Sequence, residues 1–276
     1  MRLLSYFTLL TIFHSIKVYG QDDKSIKLTP FFKESQTKSY QITSTSKTST
    51  KDGHYEVFNS KIKDVIVKVT KVTAAQSHIE WTYDRVMFVD STEQNDPFTY
   101  LINTLNKRMT IKYVVDSKGV IQAISNSEDL KSQTKQQIDG FVKQLSQSDN
   151  YDESSIEAFK FQLDMMLSSQ ELFDALILED VYKFHELYSL SFQKGRKVLV
   201  PEKGTPTDSY SIELISSNQN EVQLFGELVS SFSDKKGQKK YEFNLPSYWL
   251  EHYSAKWHVT VPVNVSYSYS IEQVNP

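Results

Sequence analysis

The feature that most constrains the fold is hydrophobic alternation, with a period of two residues, on both sides of a helical middle. Residues 79–84 alternate between large apolar and polar side chains. Every second residue from 257 to 271 is apolar or aromatic, which predicts one long, curved strand with Pro262 at an edge or a bulge. No segment has the continuous apolar run of a parallel strand. The pattern therefore predicts antiparallel strands with one solvated face.

The middle of the chain, residues 126–189, has helical periodicity instead. Three Ser-x-x-Glu patterns that begin at Ser125, Ser154 and Ser168 match the capping box, and apolar residues at helical spacing follow each of them. We predict an α+β fold: a large, curved, half-barrel-like antiparallel β-sheet with amphipathic helices packed on its concave face. The strands are expected within 26–124 and 190–274. No linker composition interrupts 21–276, which favours a single domain, although two domains from the two strand sets stay open.

The N-terminus predicts export. A basic start at Arg2 precedes a mostly apolar stretch to Ile16, and the small residue Gly20 lies before Gln21. This pattern is typical of a secretory signal peptide over residues 1–20, cleaved near Gly20. The mature chain has no apolar run long enough to span a bilayer and no cysteine for a lipid anchor, so we expect a soluble periplasmic or secreted protein. The net charge of −3 argues against nucleic acid as a partner.

The sequence contains no recognisable catalytic motif. It lacks a Gly-x-Ser-x-Gly elbow, a phosphate loop and a dinucleotide fingerprint. The pair His185-Glu186 begins like a zinc-protease motif, but Ser189 stands where the second histidine is required. Acidic pairs such as Glu179-Asp180 are expected at helix starts or on the surface. We therefore predict no catalytic residue, no metal and no cofactor, and a hydrolase with two facing carboxylates is the third alternative.

The remaining candidate is an apolar cleft between helices and sheet. Methionine is pliable and suits a pocket that accepts variable ligands. The helical and strand residues expected to face each other there are Trp81, Tyr83, Met165, Met166, Phe173, Leu176 and Trp257. Ordinary core packing is the alternative interpretation of the same residues. If the helices cover the sheet incompletely, these residues line a lipid-sized cleft.

A family resemblance supports this picture. The segment 113–120, Tyr-Val-Val-Asp-Ser-Lys-Gly-Val, leads from long strands into capped helices. In this order of elements, and in its Lys, Ser, Tyr and Ile content, the chain resembles a family of uncharacterised exported Bacteroidota proteins. Its architecture is similar to the half-barrel lipoprotein carriers of the LolA and LppX type. The resemblance implies a hydrophobic ligand or acyl chain under the sheet and carries over no catalytic or binding residue.

Two functional hypotheses follow. The first is a non-enzymatic cell-envelope protein that binds a lipid or another apolar small molecule between the helices and the sheet. The alternative is a structural or interaction protein that pairs with another envelope protein through its outer sheet face or an edge strand. The polar row that alternates with residues 257–271, which includes His258 and Asn264, motivates this alternative.

Overall fold

The computed structural model describes residues 25–49, 56–89, 100–101, 104–147, 151–202, 207–232, 234–260 and 264–274. The expected signal peptide, 1–20, lies outside the described residues. The helices are α1 (Ser127–Ser146), α2 (Glu153–Ser168), α3 (Gln170–Ile177) and α4 (Glu179–His185). The strands are β1 (Ile26–Lys27), β2 (Thr37–Ser49), β3 (Glu56–Val72), β4 (Gln76–Phe88), β5 (Thr110–Asp116), β6 (Ile121–Ile124), β7 (Ser191–Phe192), β8 (Lys197–Pro201), β9 (Ser209–Ser217), β10 (Glu221–Val229), β11 (Lys235–Asn244), β12 (Leu250–Val259) and β13 (Asn264–Val274).

Eleven of these strands form one antiparallel sheet, in the order β6-β5-β4-β3-β2-β13-β12-β11-β10-β9-β8. The first and last long strands are neighbours at its centre, where Ile42 on β2 lies opposite Ile271 on β13. Strands from before and after the helices therefore share one sheet. The predicted α+β class, with a large curved antiparallel sheet and separate helices, is confirmed.

The predicted single long strand over residues 257–271 is wrong. The chain reverses within it, so that β12 and β13 pair antiparallel, with Trp257 opposite Tyr267 and Val259 opposite Val265. Both strands place the same set of alternate residues on one face of the sheet. The period of two therefore continues through the reversal and hides it from a pattern analysis.

The core lies between one face of the sheet, here called the inner face, and the helices. Phe184 of α4 makes edge-on ring contacts with Tyr40, Trp81 and Trp249, at centroid distances of 5.3, 5.4 and 6.2 Å. All four side chains are buried. Burial of one large aromatic side chain contributes about 1.5–3 kcal/mol, so this cluster fixes α4 at the centre of the sheet.

The helices begin near the predicted serines but use different caps. Asp152 caps α2 by accepting a hydrogen bond from the Ser155 amide at 2.8 Å, and Ser169 caps α3 through the Leu172 amide. The residue before α1, Asn126, makes no side-chain capping bond. Asp152 lies two residues before one predicted serine and Ser169 one residue after another, and each satisfies a free amide in the first turn of its helix. Among the described helices, none is both long and apolar enough to cross a membrane.

Candidate functional site

Helix α4 is held on the inner face by a buried carboxylate. The Asp180 carboxylate accepts hydrogen bonds from Lys63 Nζ at 2.6 Å, from the Tyr83 hydroxyl at 2.8 Å and from the Tyr269 hydroxyl at 2.6 Å. Burial alone would raise the pKa of Asp180, but the Lys63 charge, the hydrogen bonds from Lys63 and Tyr269, and the Lys183 charge lower it below its ordinary value. Asp180 therefore stays ionised and joins α4 to β3, β4 and β13.

His185, at the end of α4, forms a second anchor. Its Nδ1 lies 2.9 Å from the carbonyl oxygen of Gly119, which can only accept a hydrogen bond. Its Nε2 lies 3.0 Å from the Tyr113 hydroxyl. In the neutral ring, Nδ1 donates to Gly119 and Nε2 accepts from Tyr113. Among the described residues, no group of three or more His, Cys, Asp or Glu side chains is arranged to hold a metal ion.

A third polar group includes Glu186, the residue directly after His185. The Lys239 side chain on β11 is only 1% exposed, and its Nζ donates to Glu186 at 2.8 Å and to Glu202 at 2.5 Å. The Tyr241 hydroxyl donates to the other oxygen of Glu186 at 2.8 Å. Burial, followed by the neighbouring Glu186 charge, raises the pKa of Tyr241 well above its usual value, so the phenol remains a donor. Two carboxylates, one ammonium and one phenol thus form a hydrogen-bonded cluster.

Glu186, Glu202 and Lys239 of this cluster form the floor of a cleft of about 780 Å³ between α3, α4 and β11. Its helical wall is partly apolar, with Leu172 and Ala175 from α3 and Tyr182 from α4. Tyr182 donates a hydrogen bond to Asp174 at 3.3 Å, and burial together with this carboxylate raises the pKa of Tyr182 to about 12. The remaining charged residues that line it are Glu171, Glu179 and Lys183. The cleft therefore combines an apolar wall with a polar, mostly acidic floor and rim.

The structure separates the seven residues that the sequence suggested for the cleft. Trp81, Tyr83 and Phe173 are buried in the core, while Met166 and Leu176 are half-buried against it. The other two lie elsewhere: Met165 is 50% exposed, and Trp257 is stacked on the ring of Tyr267 at 4.1 Å. None of the seven lines the cleft described above.

Sequence reasoning missed the charged residues of this region. The pair Glu179-Asp180 begins α4, as expected, but neither the helix start nor solvent accounts for Asp180, whose side chain is 1% exposed and ion-paired. A buried carboxylate needs a charged partner, because burying it unpaired is strongly unfavourable. That partner, Lys63, lies on β3, far from Asp180 in the sequence, so local patterns do not show the pair. Lys239 had a signal in the sequence, because it alternates in phase with Tyr241 and Phe243 and so shares their inward face.

Comparison with known proteins identifies only solved structures of low sequence identity. No family model matches the chain, and no curated protein matches it. Among solved structures, a lipovitellin chain described for its lipid–protein interactions is similar over 88% of this chain, with 10% identity and a TM-score of 0.42. This chain spans about a quarter of that chain's length, since 25% of it is covered. DynF, from the dynemicin biosynthesis pathway of Micromonospora chersina, is similar over 92% of this chain and 88% of its own, with 7% identity and a TM-score of 0.21.

Proposed function

We propose that this protein is an exported, non-enzymatic binding protein of the cell envelope that holds an amphipathic ligand, such as a lipid, in the cleft between the helices and the sheet. The observation that carries the proposal is the cleft of about 780 Å³, which lies between α3, α4 and the inner face. Pockets for small ligands have volumes of about 300–1,000 Å³. Export is proposed from the N-terminal sequence pattern.

The cleft favours a ligand with two chemically different parts. Leu172, which is 46% exposed, and Ala175 offer apolar surface along one wall, where an alkyl chain or ring can be desolvated. The floor offers the partly exposed carboxylates of Glu186 and Glu202, which suit a polar head group with hydrogen-bond donors. Phe173 and Leu176 lie on the same helix and support that wall from the core side.

The floor also favours binding over catalysis. Glu186 and Glu202 both accept from Lys239, and Tyr241 donates to Glu186, so these groups are hydrogen-bonded to one another. A carboxylate that acts as a general acid or base has to exchange its proton with the substrate. In the proposal these groups orient the ligand and leave its covalent structure unchanged.

Native mass spectrometry of the protein, expressed as the full chain in an exporting host, tests this proposal. The expected result is a stoichiometric ligand that solvent extraction releases. Leu172→Glu places a charge on the apolar wall and should remove the bound mass. Leu199→Glu is the matched control, because Leu199 is 64% exposed on β8 and does not line the cleft. A ligand-free wild-type protein, or equal loss in both variants, would contradict the proposal.

A further inference from the structure

The outer face of the sheet carries two polar rows that cross several strands. In the first row, Lys47 on β2 lies opposite Ser266 on β13, Ser266 opposite His258 on β12, and His258 opposite Lys236 on β11. A hydrogen-bond distance of 2.8 Å joins His258 Nδ1 to the Ser266 hydroxyl, so both side chains lie on one face. With strands about 4.8 Å apart, this row is about 14 Å long.

The second row runs beside the first. Thr45 lies opposite Ser268, Ser268 opposite Lys256, Lys256 opposite Gln238, and Gln238 opposite Glu227 on β10. A concave region of about 710 Å³ is lined by the residues of both rows and by residues that alternate with them along the same strands, Leu228, Lys235, Gly237, Trp257 and Tyr267. We call these two rows and the concavity between them the outer trough.

The outer trough is basic within an acidic chain. The two rows contain three lysines, one histidine and a single carboxylate, whereas the whole chain has a net charge of −3. That carboxylate, Glu227, lies 3.7 Å from Lys197 on β8. Lys236 and Lys256 are exposed and make no ion pair within the described part of the chain. Lysines at diagonal positions of neighbouring strands repel each other, so a bound anion would stabilise this surface.

We propose that the outer trough binds an anionic polysaccharide, a chain of sugars that bears carboxylate or sulfate groups. The lysines supply the charge, and the hydroxyl and amide groups of Thr45, Ser266, Ser268 and Gln238 supply short-range hydrogen bonds to sugar oxygens. Protein interfaces depend on buried aromatic or aliphatic anchors. The apolar residues that also line the concavity, Leu228, Trp257 and Tyr267, are half-buried, and the last two are stacked on each other. Charged and hydroxyl-bearing side chains therefore supply most of the exposed lining, which favours a glycan over the protein partner expected for this face from the sequence.

This proposal is independent of the ligand cleft on the inner face. Affinity electrophoresis through gels that contain alginate, a polyuronate, tests it on the full chain expressed in an exporting host. We expect migration to be retarded by alginate, unchanged by neutral dextran, and progressively restored by sodium chloride because salt screens exposed charges. Lys236→Gln together with Lys256→Gln should weaken alginate binding by about tenfold.

The control removes the same charge elsewhere. Lys68 on β3 and Lys143 on α1 are exposed lysines outside the outer trough, so Lys68→Gln together with Lys143→Gln should leave retardation unchanged. Equal weakening by both double variants would show that the interaction is only with net charge and would overturn the proposal. Binding of polyglutamate as tight as that of alginate would assign the outer trough to an acidic protein. Failure to bind alginate would also refute it.

Discussion

Replacing Asp180 by asparagine removes the charge that holds α4 on the sheet while preserving the shape of the side chain. Asp180 is 1% exposed, and it accepts hydrogen bonds from Lys63, Tyr83 and Tyr269. The variant leaves the Lys63 ammonium, whose side chain is 10% exposed, without a counter-charge. Breaking one side of a buried pair costs about 3–5 kcal/mol, and we expect this loss in the free energy of unfolding.

Asp64→Asn provides a control with the same ion-pair distance and a more exposed pair. Arg85 Nη2 also lies 2.6 Å from a carboxylate oxygen of Asp64, but the arginine side chain is 58% exposed. Exposed pairs contribute at most about 1 kcal/mol. Urea unfolding followed by fluorescence measures both variants, because Trp81 and Trp249 are fully buried. A loss for Asp180→Asn no larger than that of the control would refute the reasoning.

Lys63→Met completes a double-mutant cycle with Asp180→Asn. Removing both charges leaves no unpaired buried ion, so the double variant should lose less stability than the two single variants added together. Additive losses would mean that the two tyrosine hydroxyls, rather than Lys63, stabilise the carboxylate.

Two further results are expected. The pKa of Asp180 in the folded chain lies below its ordinary value of 3.8. Its contribution to stability is therefore present above pH 3.8 and is lost as the pH falls through the pKa of the folded state. Over this acidic range, the free energy of unfolding should fall more steeply with pH for the wild type than for Asp180→Asn. Gly119→Ala should lower the melting temperature because Gly119 has a φ of 85° and an added Cβ would lie 2.6 Å from Pro30. In α1, the Cβ added by Gly140→Ala meets open space, so this variant should raise the melting temperature, with a gain of about 0.5–1 kcal/mol in the free energy of unfolding. A calorimetric scan in which both alanine variants shift the melting temperature in the same direction would contradict this comparison.

Local periodicity was sufficient to predict the class of fold and most elements. Alternation in 79–84 and helical spacing in 126–189 depend only on which residues face the core, and that information is local. Pairing is not local. The reversal between β12 and β13 was missed because both strands of a hairpin can continue one alternation, and a period of two does not show where the chain turns.

The candidate site was harder to predict than the fold. Its floor joins Glu186 after α4, Glu202 after β8 and Lys239 in β11, and only tertiary folding brings these three together. Trp81 and Phe173 were among the residues suggested for a cleft because large apolar residues are as typical of a pocket as of a core. The inward phase of Lys239 was the one local clue, since a charged residue at a core position requires partners.

The pairing of β2 with β13 has a consequence for how this chain acquires its structure. Ile42 and Ile271 are 229 residues apart in the sequence (271 − 42), yet their strands are adjacent at the centre of the sheet. Such pairing gives a high contact order, and closing so large a loop slows folding. The two flanks of the sheet cannot join until β13 has been synthesised, because β13 lies between β2 and β12. Deletion of β13 should therefore divide the sheet into two halves with newly exposed edges, which makes such a variant prone to aggregation.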